Sequence, residues 1–223
     1  MKNLFTLFLV SIITFKSLSQ INTTGIYLTD PKGSLIDQKT SYKDINGTPY
    51  MFPDWLTGDL VTSAGIYKSI QLKLNLYTQE IIYLNKENQE LVVPSETVDT
   101  VKINNKGFIY NWTYRTVVGK AKKLELARIL VNGKVSLYKI EKKKIEEYKE
   151  FNSAVYTRKF KDEDGLYVDE YGTGLLVRVE KEKEFWMKNF PNQSEKIDVA
   201  FSSKKLKLKS EEGVLEFVTF LNN

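Results

Sequence analysis

The chain of 223 residues contains no cysteine and no histidine. Without histidine, the side chain that titrates nearest neutral pH, the Ser-His-Asp and Cys-His nucleophiles are excluded, as is every His-ligated zinc or iron site. Without cysteine there is no thiolate nucleophile, no iron–sulfur cluster, no Cys-ligated zinc and no disulfide. The chemistry left open is carboxylate catalysis, a Ser-Lys dyad, Tyr or Arg, and oxygen-ligated calcium or magnesium; no cofactor is expected. Long apolar runs are also scarce: after the first fifteen residues no segment is apolar enough to span a bilayer, so no transmembrane segment is expected in the mature chain.

What is present begins with an export signal. Lys2 supplies a positive start, Leu4 to Phe15 an apolar stretch, and Ser17-Leu18-Ser19 places small residues at −3 and −1 before Gln20. The apolar stretch is about a dozen residues, short of the roughly 20 that a spanning helix needs. Residues 1–19 therefore read as a signal peptide, and the protein as exported: periplasmic or secreted, or peripheral to the outer membrane. Its removal takes Lys2 and Lys16, so the net charge of +5 falls by two to +3. The lysine runs at Lys120–Lys123, Lys142–Lys144 and Lys204–Lys209 read as solvated faces, the second flanked by Glu141, Glu146, Glu147 and Glu150. No nucleic-acid partner is expected of an exported protein with so mild a surplus. An oxidising compartment and a chain without cysteine fit a bacterial envelope protein.

Ile70, Leu72, Leu74 and Leu76 alternate with polar residues, the period-two pattern of a half-buried strand. Leu124–Val131 and Val135–Ile140 flank Asn132-Gly133-Lys134 and read as a hairpin. Shorter strands are expected at 58–62, 80–84, 90–93, 97–103, 154–160 and 166–170, with Asp164-Gly165 as the turn between the last two. The segment 142–152 is charged, lacks alternation, and reads as a seam that an exposed helix would suit. After Leu175 the composition turns helical: 180–190, 194–203, and a helix opened by Ser210-Glu211-Glu212, with Val214, Leu215, Phe217, Val218 and Leu221 at helical spacing. The expected class is α+β, a mainly antiparallel β-rich body followed by a short helical C-terminal tail. In units, this gives a signal peptide (1–19), a β-rich body (20–140), a charged connector (141–153), and a β-hairpin plus short C-terminal helices packed on the body (154–223).

Asn46-Gly47-Thr48-Pro49-Tyr50, Trp55, Gly58, Leu72–Tyr77, Val131–Tyr138 and the tail from Glu180 to Asn223 resemble a family of exported proteins of Bacteroidota. The resemblance implies export, an α+β build and a body from about Ser41 to Tyr138. It implies no catalytic residue.

Two aromatic sets are the candidate contact residues for a ligand or partner. Phe108, Tyr110, Trp112 and Tyr114 alternate strictly, so a strand there carries four rings on one face about 6.6 Å apart, over roughly 20 Å. Such a ladder stacks on sugar rings or anchors a protein partner, and it is equally what a sheet's core face looks like. Tyr50, Phe52 and Trp55, around Pro49 and Pro53, lie in a turn-rich stretch, either open to a partner or folded back over the end of a sheet.

Catalytic alternatives are thinner. Ser136–Lys139 and Ser202–Lys205 have dyad spacing, but Ser136 lies in an expected strand, where positions three apart face opposite ways. Asp162-Glu163-Asp164-Gly165 lacks the later ligands of a calcium loop and reads as a turn. A glycosidase needs two carboxylates about 5–9 Å apart, for which Asp54, Asp59, Glu80 and Glu96 are available. The sequence thus points to a non-enzymatic envelope protein that binds an envelope protein or a glycan, with a carboxylate-dependent hydrolase of envelope polysaccharide as the alternative. A lysine-rich membrane-surface protein is a third reading, one that predicts salt-sensitive binding to anionic vesicles.

Overall fold

The computed structural model describes residues 42–105, 108–118, 122–149, 155–170, 173–203, 206 and 208–223, with short pieces at 27–28, 31 and 34–35. The export signal lies outside the described residues. In chain order the strands are β1 (Tyr27–Leu28), β2 (Ser34–Leu35), β3 (Ile45–Asn46), β4 (Leu56–Thr62), β5 (Gly65–Asn75), β6 (Glu80–Leu84), β7 (Glu90–Val92), β8 (Val98–Asn105), β9 (Phe108–Val117), β10 (Lys123–Val131), β11 (Val135–Ile140), β12 (Lys143–Lys149), β13 (Tyr156–Asp162), β14 (Gly165–Glu170) and β15 (Leu175–Arg178). Three helices follow: α1 (Lys183–Asn189), α2 (Ser194–Ser202) and α3 (Glu211–Asn222). The fold is α+β, a β-barrel-like body with helices at its C-terminal end. No helix among the described residues is long and apolar enough to cross a membrane.

The alternating segment forms β5, whose Leu72 and Leu74 are buried while Gln71 faces solvent. Antiparallel neighbours run β9–β8–β4–β5–β6–β7. Their shared face packs Leu60, Tyr67, Leu72, Ile81, Tyr83, Val101, Ile103 and Trp112 into the main core, which Leu126 of β10 joins. Gly58 on β4 lies so near the neighbouring strands that a Cβ there would stand 2.6 Å from the Lys102 carbonyl oxygen and 2.8 Å from the Leu72 side chain. Next to it the register slips between Gly58 and Leu60, and Ser69 adopts φ +56° with its N–H donating to Asp59 Oδ1 at 3.0 Å. This bulge turns both Tyr67 and Leu72 inward.

β9 is long enough to serve two bodies. One edge pairs with β10 along Trp112–Val117; the other pairs with β8 along Phe108–Trp112 and then, in parallel, with β15 at Thr116 and Val117. Since β10 pairs with β11, β11 with β14, and β14 with β15, these five strands close into a ring. Ala127, Tyr138, Ile140 and Leu176 fill it. The ring's outer face, with Val135, Leu137 and Val168, receives the helices through Trp186, Phe190, Ile197, Phe217, Val218 and Leu221.

The helices start and stop where local chemistry directs. Ser210 Oγ accepts from Gly213 N–H at 3.2 Å, capping α3 above two first-turn acids. Val214, Phe217, Val218 and Leu221 bury as the spacing predicts, whereas Leu215, at the edge of that stripe, is exposed. At the far end the Asn222 amide accepts from Val135 N–H at 3.0 Å and donates to Val135 O at 2.8 Å, standing in for a neighbouring strand. A Cβ on Gly133 would meet that amide at 2.5 Å, so the hairpin glycine is what lets α3 dock.

Two local expectations are corrected. The charged segment 142–152 contributes β12, not a helix, because its charges pair across to β13: Glu146 with Lys161 at 2.6 Å and Lys159 at 3.7 Å, Glu147 with Arg158 at 3.8 Å. Charge on both faces hides the alternation. Nor does Asp164-Gly165 join a hairpin, since β13 pairs with β12 and β3 while β14 pairs with β11 and β15. The hairpin is β12–β13, and the turn passes the chain from the small sheet to the ring. That sheet rests on the body through Tyr42, Tyr77 and Phe160, whose rings meet edge-on at 5.4–6.0 Å between centroids, and through Lys143 N–H to Leu76 O at 3.0 Å.

Gln79 spans the side where the main sheet turns back on itself. It sits in the β5–β6 turn at φ +60°, buried. Its Nε2 donates to Leu76 O at 2.9 Å and Glu141 O at 3.0 Å, and its Oε1 accepts from Leu126 N–H at 3.2 Å. Its backbone carbonyl accepts from the Tyr114 hydroxyl at 2.8 Å. Gln79→Met preserves the volume but takes the amide partner from the Glu141 carbonyl and the Leu126 N–H, while Leu76 O keeps Lys143 N–H; urea unfolding is expected to show a loss of about 2–4 kcal/mol.

A charge cluster links ring to helices: Arg128 to Glu141 at 3.0 Å, and Lys139 to Glu211 at 2.9 Å and Asp164 at 3.4 Å. Burial raises the Glu141 pKa above its ordinary 4.5, more than Arg128 and Lys139 lower it. For Lys139, burial alone would lower the pKa, and the Glu211 contact with the surrounding carboxylates leaves it raised. A carboxyl with a raised native pKa takes up its proton more tightly when folded, so protonation adds stability as pH falls through that pKa. Between about pH 8 and about pH 5 the unfolding free energy of the wild type is therefore expected to gain on that of Glu141→Gln; a gap that stays constant contradicts this.

Candidate functional site

The β9 ladder divides along its length. Trp112 and Tyr114 are core residues, 1% and 8% exposed, so neither presents a ring face to a ligand. Tyr110 is half-buried at the rim, stacked 5.7 Å from Trp112, with the Arg128 guanidinium 5.5 Å from its ring centroid. The Phe108 side chain lies outside the described residues. Strict alternation on a central strand therefore marks the inner face, because aromatics bury the largest areas there.

The loop set divides too. Phe52 folds over the open end of the core, 6.3 Å from Tyr110, together with Met51. Tyr50 and Trp55 stay half-buried on the outer face of β5, where Lys73 alternates outward from Leu72 and Leu74. The Lys73 ammonium sits 4.9 Å from the Tyr50 ring centroid and 4.8 Å from that of Trp55, a pair of cation–π contacts that holds both rings in place. Met51 N–H to Leu74 O at 2.9 Å and Leu76 N–H to Pro49 O at 2.8 Å fix the loop to β5.

This patch adjoins a cleft. Burial raises the Tyr50 pKa, reinforced by the charges of Glu90, Tyr42 and Glu80. Glu80, whose carboxylate accepts from the Thr78 hydroxyl at 2.6 Å, also lines a cavity of about 510 Å³ between the β5–β6 turn, the end of β7 and the start of β10. Glu96 and Lys123 share its rim, and Val93, Pro94 and Leu124 supply apolar wall. Tyr114 forms its inner side, its hydroxyl pKa raised far above the ordinary tyrosine range by burial and then by Glu80.

The acids considered from sequence separate in the same way. Asp54 is exposed on the loop, and Asp59 is spent on the bulge, so neither joins the cleft. Glu80 and Glu96 both line it. Ser136 is buried, its hydroxyl bonded to Gly133, while Lys139 leaves from the opposite face of β11 to meet Glu211, so that dyad does not form. Lys205, the partner of Ser202, lies outside the described residues. Asp162, Glu163 and Asp164 each pair with a lysine: Lys143 at 3.8 Å, Lys144 at 3.3 Å and Lys139 at 3.4 Å. Sequence reasoning missed Lys73, Gln79 and Lys123. Alternation alone places Lys73 on the wet face of β5, whereas the meeting of Gln79 with β10 has no local signal.

No protein-family profile, curated protein or solved structure matches the chain.

Trp112→Ala is expected to cost about 3–5 kcal/mol in chemical denaturation, the loss for a fully buried tryptophan. Trp55→Ala, removing a half-exposed ring, is expected to cost under about 1.5 kcal/mol in the same measurement.

Proposed function

We propose that this chain is an exported, non-enzymatic envelope protein that binds a glycan across the outer face of β5 and into the adjoining cleft. The observation that carries the reading is the position of Glu80, which pairs across strands with Asn75, the residue that Tyr50 bridges, and which lines the cleft together with Glu96. A sugar ring offers an apolar C–H face and a rim of hydroxyls. Tyr50 and Trp55 suit the first, and Glu80, Glu96 and Lys123 supply acceptors and a donor for the second. Lys73 covers one side of each ring and leaves a pre-set platform, which lowers the ordering cost of binding. An export signal at residues 1–19, as the sequence is read, would bring the chain to envelope glycans rather than cytoplasmic ones.

Trp55 gives this reading a direct readout. Trp112 and Trp186 are buried, so acrylamide reaches Trp55 far more readily than the other two. Titration with soluble oligosaccharides released from the envelope is expected to shield Trp55 from quenching in a saturable way, with Trp55→Phe silencing the signal. An unchanged quenching constant across the whole oligosaccharide set refutes the proposal.

The presence of Glu80 and Glu96 on one cleft is the observation behind one alternative, a carboxylate-dependent hydrolase of envelope polysaccharide. That reading requires turnover of the same oligosaccharides, abolished by Glu80→Gln or Glu96→Gln. The binding reading requires their recovery intact.

A further inference from the structure

A second recess, with no lining residue in common with the cleft, lies where β14 and β15 meet the helices. A cavity of about 270 Å³ lies between β14, β15 and the start of α3, and a second of about 260 Å³ continues from it beside α2. The two share Lys181, Leu208 and Lys209. Four cations line the first, Lys139, Arg178, Lys181 and Lys209, against two carboxylates, Asp164 and Glu211. Both carboxylates are already held: Lys139 lies 3.4 Å from Asp164 and 2.9 Å from Glu211, and Arg128 lies 3.9 Å from Glu211. Among the described residues Arg178, Lys181 and Lys209 have no carboxylate within ion-pair distance, so the described lining carries a surplus of positive charge.

Beyond this cationic mouth the walls turn apolar. Leu166, Val179 and Val214 back the first cavity; Phe201, Leu206 and Leu208 form the second. Phe201 packs edge-on against Phe217, 5.9 Å between centroids, which fixes the trough to the helical core. A charged end joined to an apolar trough suits neither a free inorganic anion, which would leave the trough empty, nor a neutral chain, which would leave the cations unmatched.

We propose that this recess binds an anionic amphiphile, an alkyl chain carrying a carboxylate or phosphate head. The head lies among Arg178, Lys181 and Lys209, where charge-assisted hydrogen bonds are strongest, and the chain lies along Leu208 against Phe201 and Leu206, where burial of methylenes drives binding. The site is independent of the glycan reading, with no residue in common.

The test is isothermal titration of the purified full chain with dodecyl phosphate kept below its micelle concentration. Inorganic phosphate supplies the head without the tail, and dodecyltrimethylammonium the tail with the opposite charge. One saturable site is expected for dodecyl phosphate, with both controls at least tenfold weaker and affinity falling as salt rises. Dodecanoate in its place distinguishes a carboxylate from a phosphate head, and saturable binding of either meets the proposal. Lys181→Glu with Lys209→Glu is expected to weaken binding at least tenfold while the thermal midpoint holds, since both side chains are exposed. Absence of saturable binding by both anions, equal binding of the cationic amphiphile, or undiminished binding by the folded double variant overturns it.

Discussion

Leu126 lies one residue beyond the point, Ala127, where β11 begins to pair with one edge of β10, and the amide of Gln79 reaches across to bond its N–H. The same amide bonds the carbonyls of Leu76 and Glu141, so one side chain joins the β5–β6 turn, the ring and the entry to the small sheet. A buried amide with both ends satisfied is favourable, and the same amide with any end unmet is costly, which makes this point more sensitive than the apolar contacts around it. The strained φ of Gln79 follows: only a residue turned back in this way aims its side chain at β10.

Closing a sheet by a side chain leaves room that a backbone ladder would fill. The cleft bearing Glu80 and Glu96 is that room, and Gln79 and Tyr114 form its inner wall. The neighbouring outer face of β5 holds Tyr50 and Trp55 about Lys73. The proposed glycan site is thus a by-product of how the main sheet closes, whereas the amphiphile recess arises where the helices meet the ring. Each takes its character from the charged side chains that the fold gathers on its lining.

Much of the architecture is legible from local pattern. The alternation at Ile70–Leu76, the glycine between Leu124–Val131 and Val135–Ile140, and the Ser210 cap each report a local conformation, and each element forms where expected. What escapes is partnership. Strand alternation states which side chains share a face and is silent about neighbours, so the double use of β9 and the pairing of β12 with β13 have no signature in the chain. The same limit governs the candidate site. Trp112 and Trp55 are equally aromatic in sequence, and only the packing of β9 inside the sheet, with the loop of Trp55 outside it, separates a core ring from a half-exposed one. Glu80 and Glu96 are ordinary acids until the β5–β6 turn and the end of β7 set them on one cavity.

The most direct test of the Gln79 clasp is amide hydrogen exchange at Leu126. If Gln79 closes the body as described, the Leu126 N–H exchanges only through global unfolding, with a protection free energy equal to that from denaturant titration. Exchange at the rate of an open strand edge, while Ala127 and the β5 amides remain protected, would show that the Gln79 bond does not hold and that the body is joined by apolar packing alone.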